Sequence, residues 1–164
     1  MLTGGSGIVA VVICLSMIDR VGRKPFLLWG SVGMVITLGV MAFAFSTGRV
    51  GEGGGLELSS GMGLVALGAG LTYAFIFNMS WGPVMWVALG EMFPNQMRGA
   101  GLAVAGFMQW IANFAITMTF PWMLVNIGLA VSYGIYATFA LISAVFVAKM
   151  VRETKGLELE QMEG

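Results

Sequence analysis

The chain has 164 residues, 58% of them hydrophobic and 10% charged, with a mean hydropathy of +0.90. A water-soluble domain of that size has too little interior to hide so much apolar surface, so these figures exclude a soluble globular protein. Eight basic and eight acidic residues balance to zero net charge, which gives no electrostatic draw toward nucleic acid or an acidic substrate. With no histidine, and with the single cysteine, Cys14, inside an apolar run, zinc coordination, His-based catalysis and an intrachain disulfide all fall away. The class that remains is an all-α integral membrane protein, since the apolar runs approach or exceed the ~20 residues a spanning helix needs and lack the alternation of a barrel strand.

Five spans are expected, at residues 3–18, 26–46, 61–90, 101–121 and 125–148. The first has no basic residue ahead of it and no cleavage-like site before Asp19, so it reads as a span and not as a signal peptide. Its "GSGIVA" (residues 5–10) imitates a dinucleotide-binding turn, but no strand precedes it. Next comes "DRVGRKP" (residues 19–25), a tight Gly-bearing turn that interleaves acid and base. The Gly-rich "STGRVGEGGGLELSS" (residues 46–60) reads as a flexible connector.

The third segment, residues 61–90, would make about 45 Å of straight helix, more than the hydrocarbon core requires, so a break is expected within it. "WGP" (residues 81–83) supplies one. Pro83 removes a backbone donor and crowds the preceding turn, and Gly82 lets the chain adapt. Such interruptions line substrate paths in transporters, although a passive kink is the plainer alternative. Asn78 lies just before the break and Trp86 one turn after Pro83. Small residues spaced four apart, Ala66 with Gly70, Gly70 with Ala74 and Gly101 with Ala105, indicate close helix packing.

In the fourth segment Gly106, Gln109, Trp110, Asn113 and Thr117 fall on one helix face. Polar groups in hydrocarbon are costly unless they meet a partner or a wet cavity, so this stripe is either interhelical hydrogen bonding or a ligand surface. Amides beside flat indoles suit a neutral, polyhydroxylated ligand. Amides bond hydroxyls in either direction, and indole faces pack on the C–H patches of a sugar ring. No basic residue lies within a span to pair with a phosphate or carboxylate.

Arg20, Arg23, Lys24, Arg98, Lys149, Arg152 and Lys155 fall on one side of this arrangement and Arg49 on the other. The positive-inside rule makes the first side cytoplasmic, with Met1 and the connector outside and the C-terminus inside. Residues 1–149 then form the membrane part and residues 150–164 a cytoplasmic tail. On the cytoplasmic side "EMFPNQMRG" (residues 91–99) brings Glu91 and Arg98 to the same face as "DRVGRKP", and salt bridges between these loops would form a two-state latch. Ordinary topology-setting charge explains the basic residues but not the acids beside them.

With "DRVGRKP", "WGPVMWVALGEMFPNQMRG", "GFMQWIANF" and "ETKGLELEQ" in order and at matching spacing, the chain resembles the sugar porter family of the major facilitator superfamily. It is similar to the eighth through twelfth of that family's helices and the following tail, most of a C-terminal six-helix bundle. The resemblance implies transport of a monosaccharide, hexose or pentose, by alternating access, as proton symport or facilitated diffusion. It implies no cofactor beyond a coupling proton, no enzymatic activity, and a multi-pass location in the plasma membrane, or the inner membrane of a bacterium. The partners implied are a small neutral sugar, the lipid bilayer and the N-terminal half of the transporter, with no nucleic acid.

By the same resemblance Trp86 closes over the sugar, Asn78 and Phe77 contact it before the break, and Gln109, Trp110 and Asn113 contact it from the fourth segment. Asp19, Arg20, Arg23, Glu91 and Arg98 resemble the family's inner salt-bridge network. Two departures are the absence of proline at Arg152 and at Met85, where many members carry it. A non-transporting sugar sensor on the same fold and a transporter of another neutral polyol, such as inositol, are the alternative readings.

Overall fold

The computed structural model describes residues 2–50, 56–151 and 153, without the side chains of residues 2–6, 8, 19 and 50. Six helices follow one another: α1 (Leu2–Val21), α2 (Arg23–Ser46), α3 (Ser60–Met79), α4 (Trp81–Met92), α5 (Arg98–Asn126) and α6 (Gly128–Met150). α3 and α4 form one broken span, so the helices make the five expected passages. Four of these, Arg23–Ser46, Ser60–Met92, Arg98–Asn126 and Gly128–Met150, are long and apolar enough to cross a bilayer, while in α1 the apolar stretch Val9–Ile18 is shorter.

Three expectations shift. The connector is not wholly irregular, because Arg49–Val50 (β1) and Leu56–Glu57 (β2) pair as an antiparallel ladder, Arg49 opposite Glu57 and Val50 opposite Leu56. The fourth passage does not stop at Pro121 but runs on to Asn126. In an apolar medium ending a helix strands several carbonyls, whereas carrying it through a proline forfeits one bond. The third passage breaks at Ser80 and not at Gly82 or Pro83. A proline acts on the turn before it: Pro83 has no N–H for the carbonyl of Met79, and its ring would crowd that carbonyl. Ser80 absorbs the distortion at φ −115°, ψ −84°. Its N–H still donates to Ile76 O at 2.9 Å, and its carbonyl accepts from Val84 N at 2.9 Å, so little bonding is lost at the break.

The core lies at the end where α1 stops and α2 starts. Cys14 and Ile18 of α1, Phe26 and Leu27 of α2, Val84 of α4 and Val147 of α6 form one buried cluster. Between lipid-embedded helices the hydrophobic effect gives little net drive, so dispersion and fit carry this contact. On one side of α2, Trp29, Val32, Ile36, Val40 and Phe43 recur every three or four residues and stay exposed, an apolar stripe at helical spacing. The small-residue pairs divide. Ala66 is buried, and Gly70 admits the thioether of Met41 from α2. Gly101 instead receives the ring of Phe93 from the turn just before its own helix, so it seats a loop and not a neighbouring helix.

Candidate functional site

Around the break, α4 turns Trp86 toward α5. Its Cη2 lies 3.6 Å from where a Cβ on Gly106 would stand, an ordinary packing distance that seats the indole against α5. Gln109, Trp110, Asn113 and Thr117 continue that face of α5. Gln109 is half-buried and Asn113 exposed, and Trp110 is 74% exposed. Among the described residues no side-chain hydrogen bond is formed by Gln109, Trp110, Asn113 or Trp86, and Thr117 donates only to the carbonyl of Asn113, at 2.8 Å. Two amides and two indoles thus stand on or against one face with their polar atoms unclaimed, so hydrogen bonding between these helices does not account for them.

Asn78 and Phe77 are placed differently. Asn78 Nδ2 donates to Ala74 O at 2.7 Å, and its carbonyl end packs 3.8 Å from the Cβ position of Gly7 in α1. Phe77 stacks on Tyr73, with ring centroids 6.3 Å apart. Neither shares a contact with the α5 face, although the Oδ1 of Asn78 keeps acceptor capacity for a ligand between α1 and α3.

The charged cluster at the other end of α4 is partly assembled. Arg23 Nε donates to Glu91 Oε1 and Oε2 at 3.1 and 3.0 Å, and Nη2 donates to Oε1 at 2.7 Å, a two-pronged ion pair that is 13% and 27% exposed. This geometry belongs to the stronger class of protein hydrogen bonds. Arg98, at the start of α5, does not join it: Nε and Nη2 are buried and make no hydrogen bond among the described residues. Arg20 sits exposed in the last turn of α1. Asp19 falls within α1, but its side chain lies outside the described residues, as do Arg152 and the tail from residue 154 onward.

Glu153 is a member of this cluster that sequence reasoning missed. Its Oε1 accepts from Arg23 N at 2.9 Å and its Oε2 from Lys24 N at 3.1 Å, so the carboxylate caps the N-terminus of α2 from the far end of the chain. Gly22, at φ 100°, supplies the turn that aims these N–H groups outward. The "ETKG" spelling hinted at the residue but not at its target. Glu153→Gln is expected to lower thermal stability by about 1 kcal/mol, measured by unfolding in detergent, because a neutral amide caps a helix dipole less well.

A separate cavity of about 430 Å³ opens between α2, α3, α5 and α6, lined by Leu38, Met41, Tyr73, Ile116, Tyr133 and Tyr136 among others. Tyr133 stacks on Phe45 with centroids 5.2 Å apart, and Phe120 packs against both Tyr133 and Tyr136. The hydroxyl of Tyr136 is buried without a partner among the described residues. Removing an unsatisfied buried hydroxyl relieves its desolvation cost, so Tyr136→Phe is expected to raise the thermal stability of this chain by about 1 kcal/mol.

A helical membrane bundle with a broken span, an open face of amides and indoles beside the break and a largely buried ion pair at one end has the parts of a solute carrier. The profile described as "Sugar (and other) transporter" matches residues 1–164, and the chain belongs to that family. It is 47% identical over 161 residues to a glucose transport protein of Synechocystis sp., covering 98% of this chain and 34% of that protein. It is 37% identical over 168 residues to the D-xylose-proton symporter of Escherichia coli, covering 99% and 32%. The structure superposes on the inward open conformation of the xylose transporter XylE from E. coli with a TM-score of 0.83 at 38% identity, covering 98% and 34% of the two chains. The chain therefore spans about a third of the length of the curated relatives it matches.

Proposed function

We propose that this chain forms part of a transporter that carries a neutral monosaccharide, a hexose or a pentose, across the membrane by alternating access. The observation that carries the reading is the face shared by Trp86, Gln109, Trp110 and Asn113, where the amides and indole N–H groups have no protein partner among the described residues and no cation is interleaved. Asn78 and Phe77 approach the same sugar from α3. The named activities of the relatives, glucose transport and D-xylose–proton symport, fall in this substrate class and set the two candidate modes, facilitated diffusion and proton coupling. No cofactor is needed, since alternating access consumes only a gradient.

The charged end is the cytoplasmic one, because basic side chains gather there, and Arg23 with Glu91 latches it in the conformation seen. Arg98, whose Nε and Nη2 are buried without a partner among the described residues, meets groups from the remainder of the transporter in this reading, and Asp19 and Arg20 are proposed as members of the same network. The bare condition of α5, which has no buried residue along its length, fits a helix that packs against that remainder.

The test is uptake by the complete transporter in proteoliposomes. Saturable flux of labelled glucose or xylose is expected, with no flux of a sugar phosphate. Sugar binding without flux would instead make the protein a sensor. Imposing a pH gradient separates the two modes: accumulation above the external concentration means symport, and mere equilibration means facilitated diffusion.

A further inference from the structure

Beside the apolar stripe of α2 runs a furrow that ends in a charge. It measures about 650 Å³ and is lined by Lys24, Pro25, Leu28, Trp29 and Val32 of α2 together with Glu153. Lys24, Leu28 and Val32 are spaced four apart, so they follow one another along one side of the helix, the cation first and hydrocarbon after it. On the other side of Trp29 lies a second furrow of about 320 Å³, walled by Met17 and Val21 of α1, Phe26 of α2, and Ile76 and Met79 of α3. Trp29 borders both furrows and is 75% exposed. Among the described residues neither the ammonium of Lys24 nor the indole N–H of Trp29 has a hydrogen-bond or ion-pair partner. Glu153 is spoken for: its carboxylate accepts from the N–H groups of Arg23 and Lys24, where the positive end of the helix dipole offsets its charge.

We propose that this pair of furrows binds one anionic phospholipid from the leaflet at the charged end, with the phosphate on Lys24 and an acyl chain on either side of Trp29. The inference goes beyond the transport reading and needs only that α2 spans the bilayer, which its 24 apolar-rich residues allow. Lys24 is the second residue of α2, so it stands where hydrocarbon gives way to headgroups. Trp29 follows five residues on, about 7.5 Å deeper along the axis, which sets its N–H at the ester level of a lipid whose phosphate meets the ammonium. Another protein helix is a poorer occupant. Helices in an apolar medium associate through small residues that let backbones approach, and α2 uses its small residues inward, Gly30 against Ser80 and Gly33 against Ile76. What faces the furrows is bulky, and a helix laid there would bury Lys24 with no anion beside it. The tails gain little over bulk lipid, which is as apolar as the furrows, so the headgroup sets the preference. Near the membrane surface one lysine favours an anionic over a neutral headgroup by about fivefold.

The experiment places the complete transporter in phosphatidylcholine vesicles that contain a trace of phosphatidylglycerol with a photoactivated diazirine in one acyl chain, and maps the labelled peptides by mass spectrometry. Labelling is expected to concentrate around Trp29 and Val32 and, across the second furrow, around Met17 and Met79. A phosphatidylcholine probe with the same diazirine chain is expected to label those residues about fivefold less. Lys24→Gln should bring the two probes to about equal labelling at unchanged positions, and Lys24→Arg should keep the preference. Both variants retain the backbone N–H that Glu153 accepts, so the turn into α2 is preserved. Inorganic phosphate in the buffer is expected to leave the labelling unchanged; protection by it would overturn the lipid and make Lys24 a site for a free anion. Equal labelling by the two probes in the unaltered protein, or labelling spread evenly along the stripe to Ile36 and Phe43, would also overturn the proposal. So would crosslinks between two copies through α2 in place of lipid labelling. Sugar uptake is not read, so failure here leaves the transport reading as it stands.

Discussion

Trp86→Ala in the complete transporter is expected to raise the half-saturating sugar concentration about tenfold, with maximal rate also reduced. The indole is the aromatic group of the candidate site that α4 carries to α5, where it lies against Gly106. Losing its face removes the C–H packing on a sugar ring, worth about 1–1.5 kcal/mol, which is roughly tenfold in affinity. Trp86→Phe should recover most of the loss, because packing carries the effect and the indole N–H has no partner among the described residues. Equal losses for Ala and Phe would move the function of Trp86 from packing to a hydrogen bond.

Glu91→Gln carries the second large effect. The Arg23 guanidinium and the Glu91 carboxylate are mostly buried, and their contact is two-pronged. Neutralising the carboxylate leaves a partly buried cation with an inferior acceptor, at a cost of about 2 kcal/mol. In the proposed latch the pair holds only while this end of the bundle is drawn together, so the cost would fall on that conformation. A shift of ~2 kcal/mol changes the ratio of the two states by roughly thirtyfold. Distances between labels at the two ends, measured with and without sugar, should show the variant resting in the state opened at the charged end, and Arg23→Gln should do the same. A distribution matching the wild type would mean that the pair is structural only.

Most of the path through the membrane was legible because the bilayer imposes a length. Residues 61–90 were too long for one straight span, and the Gly-Pro pair identified where relief would come. The exact residue was not legible: sequence shows the proline, but the strain appears one turn earlier, where Ser80 has Gly30 of another helix to fit against. The face of Gly106, Gln109, Trp110 and Asn113 could be read because helical spacing is local.

What could not be read was long-range. Glu153 reaches back to Arg23 and Lys24 across most of the chain, and Trp81 finds Ser31 on a different helix. No periodicity reports such pairs. The end of the fourth passage was not legible either: α5 runs through Pro121 to Asn126, because a proline's tendency to end a helix holds where water can satisfy the freed carbonyls and weakens in lipid. The short β1–β2 ladder was hidden by glycines that also suit a plain linker.

The central claim is that the α5 face, with Trp86, binds sugar. Its most direct test is the equilibrium dissociation constant for glucose and xylose on the purified complete transporter, wild type against Gln109→Ala. Gln109 is half-buried on that face, so losing one or two amide–hydroxyl bonds should weaken binding about three- to tenfold while the fold stays intact. An unchanged dissociation constant for both sugars in a properly folded variant would contradict the account and place the ligand elsewhere.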